Sequence, residues 1–216
     1  MRTALFLLAI SAAPLAAQAV TKDAPDPDRR VAGGGMPAGW SGRTDRPTQN
    51  INDAKFVAAG SGFHVTAGPP AIYWRAEHRA TGNYTLRATF TQAKPSAHPE
   101  AYGVLFAGEN LDQPSQSYMY FVIRQSGQYL IKHRAGAETH TIQDWTAHPA
   151  IKTITADGAP AAVNDLQVAI QGETINFIVN GQTVKSMPKM GTDGIYGLRV
   201  NHNLDVGVTN FGVTRR

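Results

Sequence analysis

The chain has 216 residues with a formal net charge of +4, 21 glycines, 13 prolines and no cysteine. That length allows one domain with a sizeable core, and the many turn formers beside plentiful β-branched and aromatic residues exclude a disordered chain and point to many short strands. The charge is spread without a long Lys/Arg cluster, which argues against a nucleic-acid partner, and the missing cysteines exclude disulfides, thiol nucleophiles and cysteine-held metals.

Residues 1–19 read as a signal peptide. Arg2 supplies the positive start, Leu5–Ile10 the apolar core, and Ala17-Gln18-Ala19 a small-x-small cleavage signal. The apolar run is far short of the roughly 20 residues a spanning helix needs. The expected location is therefore the periplasm or the extracellular space, with no membrane span. Residues 20–50 are rich in Pro, Gly and charge around Gly33-Gly34-Gly35, and read as a flexible or strapping segment. Trp40 is the residue that would pin this segment to the surface of the domain, which is expected to span residues 51–216.

Short strands are expected over 56–58, 62–66 and 71–76, with Ile72 and Trp74 on one face of the third and Tyr73 and Arg75 on the other. Tyr84–Gln92 alternates Tyr84, Leu86, Ala88 and Phe90 with polar residues, the period of a half-buried strand. An apolar strand follows over 102–107. The stretch YMYFVIRQSGQYLIKHR, residues 118–134, reads as a hairpin. A two-residue Ser126-Gly127 turn would set Arg124 opposite Tyr129 and Tyr120 opposite His133. Tyr118, Tyr120, Val122, Arg124, Tyr129, Ile131 and His133 would then share a polar aromatic face. Met119, Phe121, Ile123 and Leu130 would form the apolar face, with Lys132 as a misfit on it. Further strands are expected over 138–143, 166–170, 175–179, 182–186, 195–200 and 204–214. Asn180-Gly181 is the strongest hairpin signal in the chain.

About a dozen short strands and no helical period define an all-β, two-sheet antiparallel sandwich. The passages GNYTLRATFTQ, AYGVLFAGENLD, YMYFVIRQSGQYLIKHRAG, LQVAIQGETINFIVNGQTV and GIYGLRVNHNLDVGVTNFGV resemble the concanavalin A-like lectin/glucanase jelly-roll superfamily. More narrowly, they resemble the bacterial exported 3-keto-disaccharide hydrolase and family 16 glycoside hydrolase-like domains. The resemblance spans about residues 56–214. It implies a jelly roll that meets a sugar on a concave sheet. One departure is plain: the Glu-x-Asp-x-Glu strand of family 16 hydrolases is absent. The acidic residues, such as Glu77, Glu100, Glu109, Asp112, Glu138 and Asp144, are scattered. No local carboxylate pair stands ready for retaining or inverting chemistry.

The candidate ligand-binding residues are Trp74, Arg75, Tyr118, Tyr120, Arg124, Tyr129 and His202. Aromatic rings cover the C–H face of a sugar, and phenol, guanidinium and imidazole groups hydrogen-bond its hydroxyls. Arg124 suits an acidic or keto group. Glu77 and His133 are the candidate acid and base. The seven histidines lack a metal-binding spacing, so neither a metal nor a cofactor is expected. The leading expectation is an exported carbohydrate-interacting domain that binds a glycan or sugar derivative. A glycoside or 3-keto-sugar hydrolase or lyase, and a structural module without catalysis, are the alternatives; whether the chain is an enzyme is left open by these residues.

Overall fold

The computed structural model describes residues 27–154 and 156–215. The expected signal peptide lies outside the described residues. In chain order the strands are β1 (Ser41–Thr44), β2 (Lys55–Ala59), β3 (Gly62–Thr66), β4 (Ala71–Ala80), β5 (Tyr84–Gln92), β6 (Ala101–Glu109), β7 (Ser117–Arg124), β8 (Gln128–Ala135), β9 (Glu138–Ala147), β10 (Ala162–Gln171), β11 (Thr174–Val179), β12 (Gln182–Pro188), β13 (Gly194–Val200) and β14 (Asp205–Arg215). They build two antiparallel seven-stranded sheets, ordered β1-β4-β13-β6-β7-β8-β9 and β12-β11-β10-β5-β14-β3-β2. The chain is an all-β jelly-roll sandwich of the concanavalin A-like kind. Among the described residues the helical content is one turn of 3₁₀-helix, Ile51–Asp53.

Alternation creates the core. The inward residues of β5, β6, β7 and β11 include Phe90, Phe106, Phe121 and Phe177, each fully buried. The Phe177 ring lies 5.2 Å from Phe121 and 6.1 Å from Phe106, joining the two sheets across their gap. Asn180 and Gly181 both adopt positive φ, 50° and 82°, as a type I′ hairpin requires. The Asn180 side chain also accepts a bond from the Asp165 N–H and donates to the Ala150 carbonyl, so the turn anchors a neighbouring loop.

Two expectations meet a different arrangement. The first is the β7–β8 hairpin. Its turn has three residues, Gln125-Ser126-Gly127, and the Gly127 N–H bonds the Arg124 carbonyl at 3.0 Å. Gly127 has φ +84°, the left-handed position that closes a three-residue loop. The register is therefore Arg124↔Gln128, Tyr120↔Lys132 and Met119↔His133. One residue of slip turns every β8 side chain to the opposite face from the one expected. Tyr129 and Ile131 join Met119, Phe121 and Ile123 in the inter-sheet core. Leu130 joins Tyr118, Tyr120 and Val122 on the outer face. Lys132, the misfit of the expected apolar face, now stands on the outer face and is half-exposed.

The second concerns the chain before residue 51. Ser41–Thr44 extends the first sheet as an edge strand paired to β4. Trp40 packs into the main core rather than on its surface. It is 8% exposed, with Phe56 at 4.7 Å, Phe63 at 5.0 Å and the His78 ring at 5.4 Å.

Candidate functional site

The outer face of the first sheet is not an ordinary solvated surface. Ten buried residues form a second cluster there, among them Ile72, Trp74, Leu105, Tyr118, Tyr120 and Leu130. Strand geometry explains the membership. In β4 the even positions Ile72 and Trp74 point outward, while Ala71 and Tyr73 point into the sandwich. Leu111, from the loop after β6, covers one side of the cluster. Arg43 of β1 holds that loop by donating to the Leu111 and Gln113 carbonyls at 3.2 and 2.5 Å.

Arg199 is the charged centre of this face. It projects from β13, an otherwise apolar strand, and is 6% exposed. Its two terminal nitrogens donate to the two Asp45 carboxylate oxygens at 2.5 and 2.6 Å. Its guanidinium carbon sits 5.3 Å from the Tyr120 ring centre, a cation–π contact. Burial pushes the Arg199 pKa down, but the Asp45 charge and hydrogen bonds outweigh that and hold it above its usual range. Burial likewise pushes Asp45 up, and the Arg199 charge and hydrogen bonds bring it below its usual value. Burial pushes the Tyr118 and Tyr120 phenols up, with the Arg199 charge opposing it, so both rings offer neutral hydroxyls. The two rings stand 5.8 Å apart.

Beyond the tyrosines the face opens. Arg124, Lys132 and Arg134 are half-exposed there, as is Trp145 of β9, while Thr139 and Thr141 are exposed. The Arg124 guanidinium lies 4.2 Å from the Trp145 ring centre. Arg124 also donates to Gln128 across the hairpin, and Arg134 to the Gly136 carbonyl at 2.7 Å. Along this face run the planar cation stacked on an indole, then Lys132 opposite Thr141, then Arg134 opposite Thr139. Such a face can stack on a ring and donate several charge-assisted hydrogen bonds. At the opposite edge of the sheet, Trp74, Arg43 and Asp112 help line a recess of about 470 Å³.

Of the residues expected to form a site, Trp74, Tyr118, Tyr120 and Arg124 do share this face. Tyr129 does not: it is buried in the inter-sheet core, and its hydroxyl donates to the Val184 carbonyl at 3.0 Å. His133 also faces inward, where its Nε2 meets the Ser117 hydroxyl at 3.0 Å. Arg75 pairs with Glu77 at 2.6 Å in an exposed, irregular part of β4. The Glu77 carboxyl is held below its usual value first by its own backbone N–H, with Arg75 adding to this against a desolvation effect. An exposed carboxylate so stabilised is a poor proton donor at neutral pH. His202 sits in the loop before β14, its ring nitrogens 3.1 Å from Asp28 and 3.0 Å from Glu100.

Glu77 and His133 are not brought together. Their strands are four steps apart in the sheet, β4-β13-β6-β7-β8, or roughly 19 Å at about 4.8 Å per strand. Two groups at that distance cannot serve one glycosidic bond, since even inverting chemistry uses carboxyl groups no more than about 9.5 Å apart.

Sequence reasoning missed Asp45, Lys132, Arg134, Trp145 and Arg199. Two of them left a trace. Lys132 violated the apolar face to which it was assigned, and Arg199 is the single charge in an apolar strand.

No family model and no curated protein matches the sequence. Solved structures are similar in fold. The carbohydrate-binding module CBM66 from Bacillus subtilis aligns with a TM-score of 0.59 at 11% identity, covering 81% of this chain and 94% of that one. A protein of unknown function with a galectin-like fold, also from Bacillus subtilis, aligns with a TM-score of 0.58 at 13% identity, covering 82% and 89%. The carbohydrate recognition domain of Emp46p, in its potassium-bound form, aligns with a TM-score of 0.53 at 10% identity, covering 81% and 88%. At these identities the likeness establishes the fold, a sandwich resembling carbohydrate-binding modules and lectins.

Proposed function

We propose that this chain is an exported carbohydrate-interacting domain that binds a glycan or sugar derivative on the outer face of the β1-β4-β13-β6-β7-β8-β9 sheet. The carrying observation is the half-exposed Arg124–Trp145 stack, with Lys132 and Arg134 further along the same face. An indole covers the apolar face of a pyranose, and the cations and threonine hydroxyls meet its polar groups. Arg124 lies near Glu100 and Asp144, and Arg134 near Asp45, which leaves Lys132 as the cation on this face that favours a sugar carrying a carboxylate or keto group over a neutral one. The narrower sequence resemblance to 3-keto-disaccharide hydrolase-like domains supports a sugar derivative of that kind. The sandwich folds of CBM66 and the Emp46p recognition domain support the ligand class.

Calorimetric titration against paired neutral and acidic glycans tests this reading. Trp145→Ala should weaken binding about tenfold or more, which is roughly 1.4 kcal/mol. Lys132→Ala should weaken acidic glycans more than neutral ones. Equal affinities in wild type and Trp145→Ala would remove this face as the site. Export rests on Arg2, the apolar run and Ala17-Gln18-Ala19. Protein recovered outside the cytoplasm should begin near Val20, and recovery of intact Met1 chains from cytosol alone would refute export.

A further inference from the structure

A cavity lies on the other side of the same sheet, away from the proposed glycan face. Strands β7, β8 and β9 pair so that Met119 stands opposite His133, and His133 opposite His140. The three side chains therefore form one row across adjacent strands, spaced by about 4.8 Å. All three line a cavity of about 450 Å³ that also receives Met190, Glu109 and Asp193. Met190 comes from the segment between β12 and β13 and is 43% exposed, one of the few large apolar side chains left in solvent.

The cavity thus gathers two of the seven histidines and two of the five methionines in the chain. The imidazole rings of His133 and His140 stack with centroids 6.0 Å apart. Ser117 bonds His133 Nε2 at 3.0 Å. An imidazole that ligates a metal through one nitrogen is characteristically oriented by such a bond on the other. The donor types select the metal. No group of three or more His, Cys, Asp or Glu side chains comes together in metal-binding fashion among the described residues. Zinc would therefore lack a third nitrogen or oxygen ligand. Thioether sulfur lines the same cavity, and soft thioether with imidazole suits Cu(I). In a chain without cysteine these are the softest donors present.

We propose that this cavity binds a single soft monovalent metal ion, Cu(I), through the imidazoles of His133 and His140 and the thioethers of Met119 and Met190. The carboxylates of Glu109 and Asp193 add favourable charge at its mouth.

The test uses the full chain, titrated anaerobically with Cu(I) in competition with a chromogenic chelator, and with Ag(I) as a redox-inert probe in methionine-methyl NMR. One equivalent of Cu(I) should bind, and Ag(I) should shift the methyl signals of Met119 and Met190 while leaving Met187 in place. Met190→Leu and His140→Gln should each weaken Cu(I) at least tenfold. Both residues are exposed, so both variants should fold, as circular dichroism would verify. Met36→Leu should bind Cu(I) like wild type. The proposal is overturned by the absence of stoichiometric uptake, by wild-type affinity in both site variants, or by Zn(II) binding as tightly as Cu(I).

Discussion

Replacing Asp45 by Asn isolates the charge that neutralises Arg199. The two side chains are 25% and 8% exposed, and they share two short hydrogen bonds. The Arg199 Nε atom has no partner of its own, so Asp45 carries the compensation of this guanidinium. The Asp45 charge also faces Arg134 and Arg46. Removing it leaves a buried cation beside further cations. Loss of one partner of a buried pair costs about 3–5 kcal/mol, because the remaining charge stays out of water uncompensated. For a domain of this size that lowers Tm by about 6–20 °C. Urea unfolding of wild type, Asp45→Asn and the double variant Asp45→Leu/Arg199→Met measures it. The double variant should recover most of the loss, since it removes both charges together. The pH dependence has a definite sign. The folded pKa of Asp45 is depressed, so its contribution is present above the unfolded value of about 3.9 and is lost as pH falls through the folded value. The gap between wild type and Asp45→Asn should therefore close below about pH 4. A loss under about 1 kcal/mol near neutral pH would mean that the pair behaves as a solvated surface bridge, and would refute the buried-centre reasoning.

Two further outcomes concern the core. Phe177→Ala should cost about 3–5 kcal/mol, as the ring is fully buried between Phe106 and Phe121; a loss under about 1 kcal/mol in urea unfolding would contradict its place between the sheets. Trp40→Ala should cost a comparable amount, about 3–5 kcal/mol, and should raise amide exchange in Ser41–Thr44 first, because the indole anchors that edge strand through Phe56 and Phe63; unchanged exchange there would show that β1 is held without it.

The strands and the inter-sheet core were legible because both follow from local information. Tyr84–Gln92 and Gly62–Thr66 have the bounds expected from alternation and turn residues, and Asn180-Gly181 formed the turn its chemistry demands. Period-2 patterning says which residues of a strand share a face. It does not say how two strands are aligned, and that is where the reading of the site went astray. Ser126-Gly127 fits a two-residue loop or the end of a three-residue one. The difference of one residue carried Tyr129 and His133 inward and brought Leu130 and Lys132 out. Only the packing of Tyr129 and Ile131 between the sheets decides it, because that register buries two large apolar side chains and leaves the lysine in water.

The remaining site features are long-range by nature. Asp45, just past the end of β1, and Arg199 of β13 are 154 positions apart, and no local spacing announces that they meet. Arg124 and Trp145 meet only after β8 is laid between β7 and β9. The sequence by itself determined the class of fold and the pool of aromatic and cationic residues. Tertiary structure alone decided which of them face one another, since sheet order and register are set by the sum of contacts across the sandwich rather than by any one strand.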